Sequence, residues 1–294
     1  MSGPTDWRVL EAGTLTTIQD RGRLGHAHLG VPRAGVLDPP AAALGNRLVG
    51  NDEASAVLEV TLGGLELRAG SGRWVAVTGA AAPVSVDGRA RGHSRAEWVP
   101  AGATLRVGTP VTGVRSYVAI AGGIAVRAVL GSRSTDTLAW VGPPRVEAGA
   151  TLPVGEPTGE PRPLDTPRPP RAGPLRLALG PRDDWFAAGA VDLLGGTAYT
   201  VHADSNRIGL RLSGPTLERA RSGELPSEGM VLGAVQVPPS GQPVVFLADH
   251  PVTGGYPVIG VVDPDDLWQC AQLRPGDEVR FTPSAAPPRR DARR

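Results

Sequence analysis

The chain has 294 residues, 40% of them hydrophobic, with 30 basic residues set against 29 acidic ones. That is long enough for two ordinary domains and apolar enough for a sizeable core, while the even charge offers no net field for nucleic acid or an anionic membrane. No apolar run approaches the roughly 20 residues that span a bilayer, and the N-terminus MSGPTDWRVL has no basic-then-apolar leader pattern, so a cytoplasmic protein is expected.

Two features of composition narrow the chemistry. The single cysteine, Cys270, excludes an internal disulfide and a cysteine-based zinc site. Every basic residue is Arg, and the sequence contains no Lys. Schiff-base chemistry, a Lys general base, a P-loop ending in Gly-Lys and a covalent attachment point for biotin are therefore absent. Anions must be met by Arg, helix N-termini or backbone N–H groups.

With 40 Gly and 30 Pro, the elements are short. The first convincing one is a helix in LDPPAAALGNRLVGN (37–51): Asp38 is the N-cap, Pro39 the first helical residue and Gly50 the stop. Val-rich runs bounded by turn residues follow and predict strands: WVAVTGA (74–80), TLRVGT (104–109) and SYVAIAGG (116–123). Residues 153–174, PVGEPTGEPRPLDTPRPPRAGP, are too Pro-rich for regular structure and read as a linker. Beyond it come LRLALG (175–180), a short helix near DDWFAAGAVDLL (183–194), AVQVPP (234–239) and VVFLAD (244–249). A second helix start, Asp263-Pro264, opens VDPDDLWQCAQLRPGD and puts Leu267, Cys270 and Ala271 on one apolar face. EVRFTP (278–283) predicts a last strand. The expected organisation is an N-terminal β domain at 1–152, the linker at 153–174, a C-terminal β domain at 175–284 and a disordered tail at 285–294.

Candidate chemistry sits at strand ends. Asp20 in TIQDRGR, Asp136 in GSRSTD and Asp249 in FLADHPVTGGYP each stand beside glycine-rich or turn-forming backbone. Each is open to two readings, a turn Asp bonded to its own backbone or a base raised by burial. Asp249 stands out because it ends four apolar residues, where a carboxylate needs a reason to be present. In SNRIGLRLSGP (205–215), alternation puts Arg207, Gly209 and Arg211 on one face of a strand and Ile208, Leu210 and Leu212 on the other. The two arginines would lie roughly 13 Å apart, so at most one is a ligand. In TGGYP, Thr253 offers a hydroxyl and Gly254 and Gly255 offer approachable backbone N–H groups; a tight turn explains the pattern equally well. Ser132 and Ser134 lack the partners of a serine triad, and the five histidines read as solvated or hydrogen-bonded rather than as a metal site.

The ordered series LTTIQDRGR (15–23), LGVPRAGVLD (29–38), GNRLVGN (45–51), LEVTLGG (58–64), VTGA (77–80), AGGI (121–124), LGSRSTD (130–136), SNRIGLRLSGP (205–215), GAVQVPPSGQPVVFLADHPVTGGYPVIG (233–260) and LRPGDEVRF (273–281) resembles the allophanate hydrolase subunit 2 family, also called the KipA family or the family of the 5-oxoprolinase C component. That family is related to the carboxyltransferase domain of urea carboxylase, and the resemblance spans residues 7 to 283. It implies a mainly β chain of two cyclophilin-like β-barrel domains with a few short helices. It also implies two partners, a KipI-like protein (the B component of 5-oxoprolinase) and a protein like its A component. With them it implies ATP-dependent opening of 5-oxo-L-proline to L-glutamate, with Mg at the level of the complex. Under this resemblance Asp249, Gln236 and Asp136 are the expected catalytic residues. Asp20, Ser134, Arg207, Thr253, Gly254, Gly255 and Tyr256 are the expected substrate or nucleotide contacts, with Arg207 on the substrate carboxylate and no metal held by this chain. Two other functions fit the family: a biotin-dependent carboxyltransferase of urea amidolyase type with biotin on a separate carrier, and a non-enzymatic antagonist of a KipI-like kinase inhibitor.

Overall fold

The computed structural model describes residues 6–162, 172–221, 223 and 225–284. The core of the expected linker, 163–171, and the expected tail, 285–294, lie outside the described residues. The chain divides into two compact units, and the division does not follow the linker alone. Unit 1 takes the chain up to Leu24, Ala34–Asp136, and the run from Trp140 to the linker, whereas unit 2 adds Gly25–Arg33 and Thr137–Ala139 to the residues beyond the linker.

In unit 1 the strands are β1 (Trp7–Ala12), β2 (Leu15–Gln19), β3 (Val57–Thr61), β4 (Leu65–Arg68), β5 (Arg73–Gly79), β6 (Val84–Val86), β7 (Arg89–Arg91), β8 (Ala96–Val99), β9 (Thr104–Val107), β10 (Arg115–Ile120) and β11 (Thr151–Leu152), with one helix, α1 (Pro39–Leu48), between β2 and β3. They form two sheets, β11-β1-β4-β9-β6-β7 and β2-β3-β10-β5-β8. Inward residues of both sheets, among them Trp7, Val9, Leu65, Leu67, Leu58, Val60, Val118 and Ile120, share one core. Every residue of β10 is buried: Val118 and Ile120 face that core, while Tyr117 and Ala119 face α1. The helix begins as expected, with the Asp38 carboxylate accepting the Ala41 N–H at 3.0 Å. It is seated by a buried polar chain in which Glu59 accepts the Leu37 N–H at 3.0 Å and the Tyr117 hydroxyl at 2.9 Å. Burial, reinforced by the Glu59 charge, pushes the Tyr117 hydroxyl well above its ordinary pKa. Residues 153–162, expected as the start of the linker, run along unit 1: Val154 is buried and bridges Ile124, and the Arg162 N–H donates to the Leu48 carbonyl at 3.0 Å.

Unit 2 contains β12 (Leu175–Leu179), α2 (Ala190–Gly196), β13 (Ala198–Val201), β14 (Gly209–Ser213), β15 (Glu228–Gly229), β16 (Ala234–Gln236), β17 (Val244–Phe246), β18 (Thr253–Gly254), β19 (Val258–Val262), α3 (Leu267–Cys270) and β20 (Glu278–Ser284). Seven of these strands close a barrel in the order β12-β19-β16-β17-β14-β13-β20, with β12 and β20 pairing in parallel. Closure removes the exposed sheet edges that short strands would otherwise leave. Leu177, Tyr199, Leu210, Val235, Val245, Ile259 and Phe281 are all buried. The Asp263-Pro264 start is real but tight: the Asp263 side chain accepts the Asp265 N–H, a 3-10 turn covers Pro264–Asp266, and the α-helix is only Leu267–Cys270. Leu267, Cys270 and Ala271 are buried, as the shared face requires. The alternation read over 205–215 fails at its first member. Strand β14 starts at Gly209, so Arg207 lies before it and is 2% exposed, while Arg211 remains exposed. The cause is a buried partner for Arg207 from a distant turn.

Candidate active site

Strand β17 ends at Phe246, and the chain turns through Leu247 to Val252 before β18. The turn is anchored to the segment before β14: the Leu247 N–H donates to the Ile208 carbonyl at 2.9 Å and the Asp249 N–H to the Arg207 carbonyl at 3.1 Å. The side chains of Arg207 and Asp249 then meet. Arg207 Nε donates to one Asp249 oxygen at 2.9 Å and Nη2 to the other at 3.0 Å, with both side chains almost wholly buried. The Asp249 oxygen that takes Nε also accepts the Thr137 N–H at 2.9 Å and the Thr137 hydroxyl at 2.6 Å. Charge, burial and geometry thus explain why a carboxylate follows an apolar strand. It supplies a buried arginine with a carboxylate partner.

Both residues expected in the site are thus bonded to each other. The guanidinium assigned to a substrate carboxylate is bound to Asp249, and the carboxylate assigned to catalysis is engaged by Arg207 and Thr137. The pair acts as a clamp that fixes the turn leading to the glycines.

A second group of expected residues does assemble. Gln236, on β16, is buried, and its Nε2 donates to the Tyr256 carbonyl at 3.1 Å and approaches Met230 Sδ at 3.8 Å. A Cβ on Gly254 would lie 2.7 Å from that Nε2 and 3.2 Å from Met230 Sδ, so the glycine is needed for the amide to sit there. Thr253 and Gly254 pair with Gly229 and Glu228 in a two-stranded arm, and Glu228 is gripped by Arg182. Tyr256 is 43% exposed, with the Arg219 guanidinium carbon 5.8 Å from its ring centroid. Gln236, Gly254 and Tyr256 therefore form one cluster, while Asp249 and Arg207 form the clamp beside it in sequence.

Asp20, Ser134 and Asp136 belong to unit 1. Asp20 is held by its own surroundings: Ser132 and Ser134 hydroxyls donate to it at 2.6 Å, and the Arg133 and Gly22 N–H groups at 2.6 and 2.8 Å. Burial alone would raise its pKa, but these hydrogen bonds outweigh burial and hold the carboxyl below its ordinary range. Ser134 also accepts the Asp20 N–H at 2.9 Å, and its carbonyl accepts from Arg23. Asp136 is fully buried, and its N–H donates to the Val141 carbonyl at 3.0 Å. Asp20 and Ser134 thus staple two loops together.

Sequence reasoning missed Thr137, Arg219 and His250. Thr137 follows Asp136 directly, but nothing local signals that it serves Asp249. His250 is buried and stacks on Phe246, with ring centroids 5.8 Å apart. Its Nδ1 lies 2.7 Å from the Pro251 carbonyl, which can only accept, so Nδ1 carries the proton and Nε2 the lone pair. Burial lowers its pKa and keeps the ring neutral at pH 7, with the hydrogen bond to Pro251 opposing.

Among the described residues no group of three or more His, Cys, Asp or Glu is placed to hold a metal ion. The two carboxylates nearest to expectation, Asp20 and Asp249, spend their oxygens on this chain's own donors, so the donor set does not fit a magnesium ion bound by this chain alone. No helix of the described residues is long and apolar enough to cross a membrane.

Residues 29–283 match the family described as carboxyltransferase domain, subdomain A and B. The chain belongs to this carboxyltransferase-domain family. Its relatives within the family include the C component of 5-oxoprolinase from Escherichia coli (strain K12), 36% identical over 278 residues, covering 93% of this chain and 90% of that protein. Urea amidolyase of Saccharomyces cerevisiae is 33% identical over 309 residues, which cover 95% of this chain and 17% of the yeast protein. The crystal structure of the K. lactis urea amidolyase superposes with a TM-score of 0.88 at 31% identity, over 96% of this chain and 19% of that one. The crystal structure of TTHA0988 gives a TM-score of 0.85 at 38% identity, over 96% of this chain and 56% of that one. This carboxyltransferase-domain chain thus corresponds to a part of several longer proteins and to nearly all of the E. coli protein.

Proposed function

We propose that this chain is the C-type component of an ATP-dependent 5-oxoprolinase. Its partners in this reading are a KipI-like protein of the B type and a third protein of the A type, and together they convert 5-oxo-L-proline into L-glutamate. The observation that carries this reading is the end-to-end match: 36% identity over nine-tenths of both this chain and the E. coli 5-oxoprolinase C component. The geometry is in keeping with it. A lactam is a stable amide, and activating it calls for a fixed hydrogen-bonding partner in a site that excludes water. Gln236 supplies a buried amide held at one end by the Tyr256 carbonyl. The Arg207–Asp249 clamp, tightened by Thr137, sets the turn from which Thr253, Gly254 and Gly255 extend. His250 brings a neutral imidazole, its proton fixed on Nδ1, and Nε2 can take a proton.

In this reading ATP supplies the phosphoryl group that turns the lactam oxygen into part of a good leaving group. Nucleotide and magnesium are held mainly with the partner, since the sequence has no P-loop and Asp20 and Asp249 are bonded to this chain's own donors. Any biotin that takes part sits on another chain, because there is no Lys here to carry it.

The urea amidolyase superposition favours one competing function, a carboxyltransferase acting on urea or another neutral amide with carrier-borne biotin. The test is ATP-dependent release of glutamate from 5-oxo-L-proline by this chain mixed with homologues of the A and B components, each omitted in turn. Activity that disappears without this chain, and falls strongly with Gln236→Ala, is the expected result. A stable three-part complex without turnover of 5-oxo-L-proline, but with biotin-carrier-dependent turnover of urea, refutes the reading.

A further inference from the structure

The clamp leaves a question of recognition open. If Arg207 is spent on Asp249, another group must bind the carboxylate that distinguishes 5-oxoproline from a neutral amide. Other arginines of unit 2 are also committed to carboxylates: Arg176 lies 2.9 Å from Asp266 and 3.2 Å from Asp263, Arg182 grips Glu228, and Arg221 lies 2.6 Å from Asp184.

Arg219, like Arg33 and Arg211, has no carboxylate partner among the described residues. It differs in where it is held: Nη2 donates to the Val237 carbonyl at 2.7 Å. Its Nε is buried without a hydrogen-bond acceptor, and Nη1 makes no hydrogen bond among the described residues. The guanidinium lies over the Tyr256 ring, a contact that steadies it. A buried, unbonded donor on a cation is costly to maintain, and a planar fork of N–H groups matches a carboxylate. The location also fits. Arg219 touches Val237 and Tyr256, the residue after Gln236 and the residue whose carbonyl orients the Gln236 amide. In 5-oxoproline the carboxylate and the lactam group are carried on one small ring, so a cation beside Gln236 can meet one while Gln236 meets the other.

We propose that Arg219, steadied by Tyr256, binds the carboxylate of the lactam substrate and so sets the preference for carboxylated lactams over neutral amides. This rests on the 5-oxoprolinase reading above.

The experiment uses the assembled complex and compares 5-oxo-L-proline with 2-pyrrolidinone, the same lactam without its carboxylate. For Arg219→Met, KM for 5-oxo-L-proline should rise roughly 10- to 100-fold, as loss of charge-assisted hydrogen bonds implies. Turnover of 2-pyrrolidinone and KM for ATP should stay unchanged, and Arg219→Lys should recover part of the loss. Equal losses on both lactams, or a shift confined to ATP, overturns the proposal; the second outcome would assign Arg219 to a nucleotide phosphate. If the wild-type complex does not turn over 5-oxo-L-proline, the functional reading fails by itself. Calorimetric titration of the complex with the two lactams then decides the carboxylate site. Binding of 5-oxo-L-proline alone, abolished by Arg219→Met, sustains it, and no such difference overturns it.

Discussion

Replacing Asp249 with Ala tests whether the buried pair is a clamp or an open catalytic group. In the wild type the carboxylate accepts two bonds from Arg207, at 2.9 and 3.0 Å, and two from Thr137, at 2.9 and 2.6 Å. The alanine variant takes the Asp249 carboxylate from the Arg207 charge, only 2% exposed, and leaves the Thr137 donors without this acceptor. Breaking a buried pair from one side costs about 3–5 kcal/mol. Native-state hydrogen exchange at core amides of the barrel, such as Val235 and Val245, reads that figure directly. Their exchange should accelerate on the order of 10²- to 10⁴-fold at neutral pH. The double variant Arg207→Met with Asp249→Leu should return most of the loss, because apolar replacement removes both desolvation penalties together. A single variant within about 1 kcal/mol of wild type, the range of weak exposed pairs, would refute the clamp and restore Asp249 as a group free for chemistry.

Gly254→Ala places a Cβ where Gln236 Nε2 now sits, 2.7 Å away. Because the obstructing atom ends a flexible side chain, the barrel should lose no more than about 1 kcal/mol in urea unfolding while Gln236 swings out and turnover falls. His250 has a pKa lowered by burial, so the folded state resists protonation that the unfolded chain accepts near pH 6.5. Its contribution to stability is complete above that value and declines as pH falls below it; His250→Gln should flatten the pH dependence of the thermal midpoint in that range. Asp20 has a lowered pKa, so its contribution is present above the ordinary carboxyl value of 3.8 and is lost as pH falls through the folded value. Asp20→Ala should destabilise unit 1 by about 1–3 kcal/mol at neutral pH and almost nothing at the acid end, as followed by Trp fluorescence.

The sequence by itself determined the local events. Asp38 before Pro39 starts α1 by a local cause: a side-chain oxygen caps a free N–H, and proline needs none. Short Val-rich runs between glycines became strands, and the face shared by Leu267, Cys270 and Ala271 became core. The absence of Lys excluded several chemistries without any structure. Tertiary structure decided which charges were available. Arg207 and Asp249 are 42 residues apart, and Thr137 and Asp249 are 112 apart, so nothing local announces that they bond one another. The alternation put Arg207 on one strand face with Arg211, but its buried pairing with Asp249 outweighed the period of the strand. The same long-range assembly put Arg219 beside Tyr256, and made Thr137 part of the second unit although it lies far from that unit's main segment in sequence. Local patterns fix the elements because their causes act over a few residues; the partners of a buried ion are set only when the chain has closed around it.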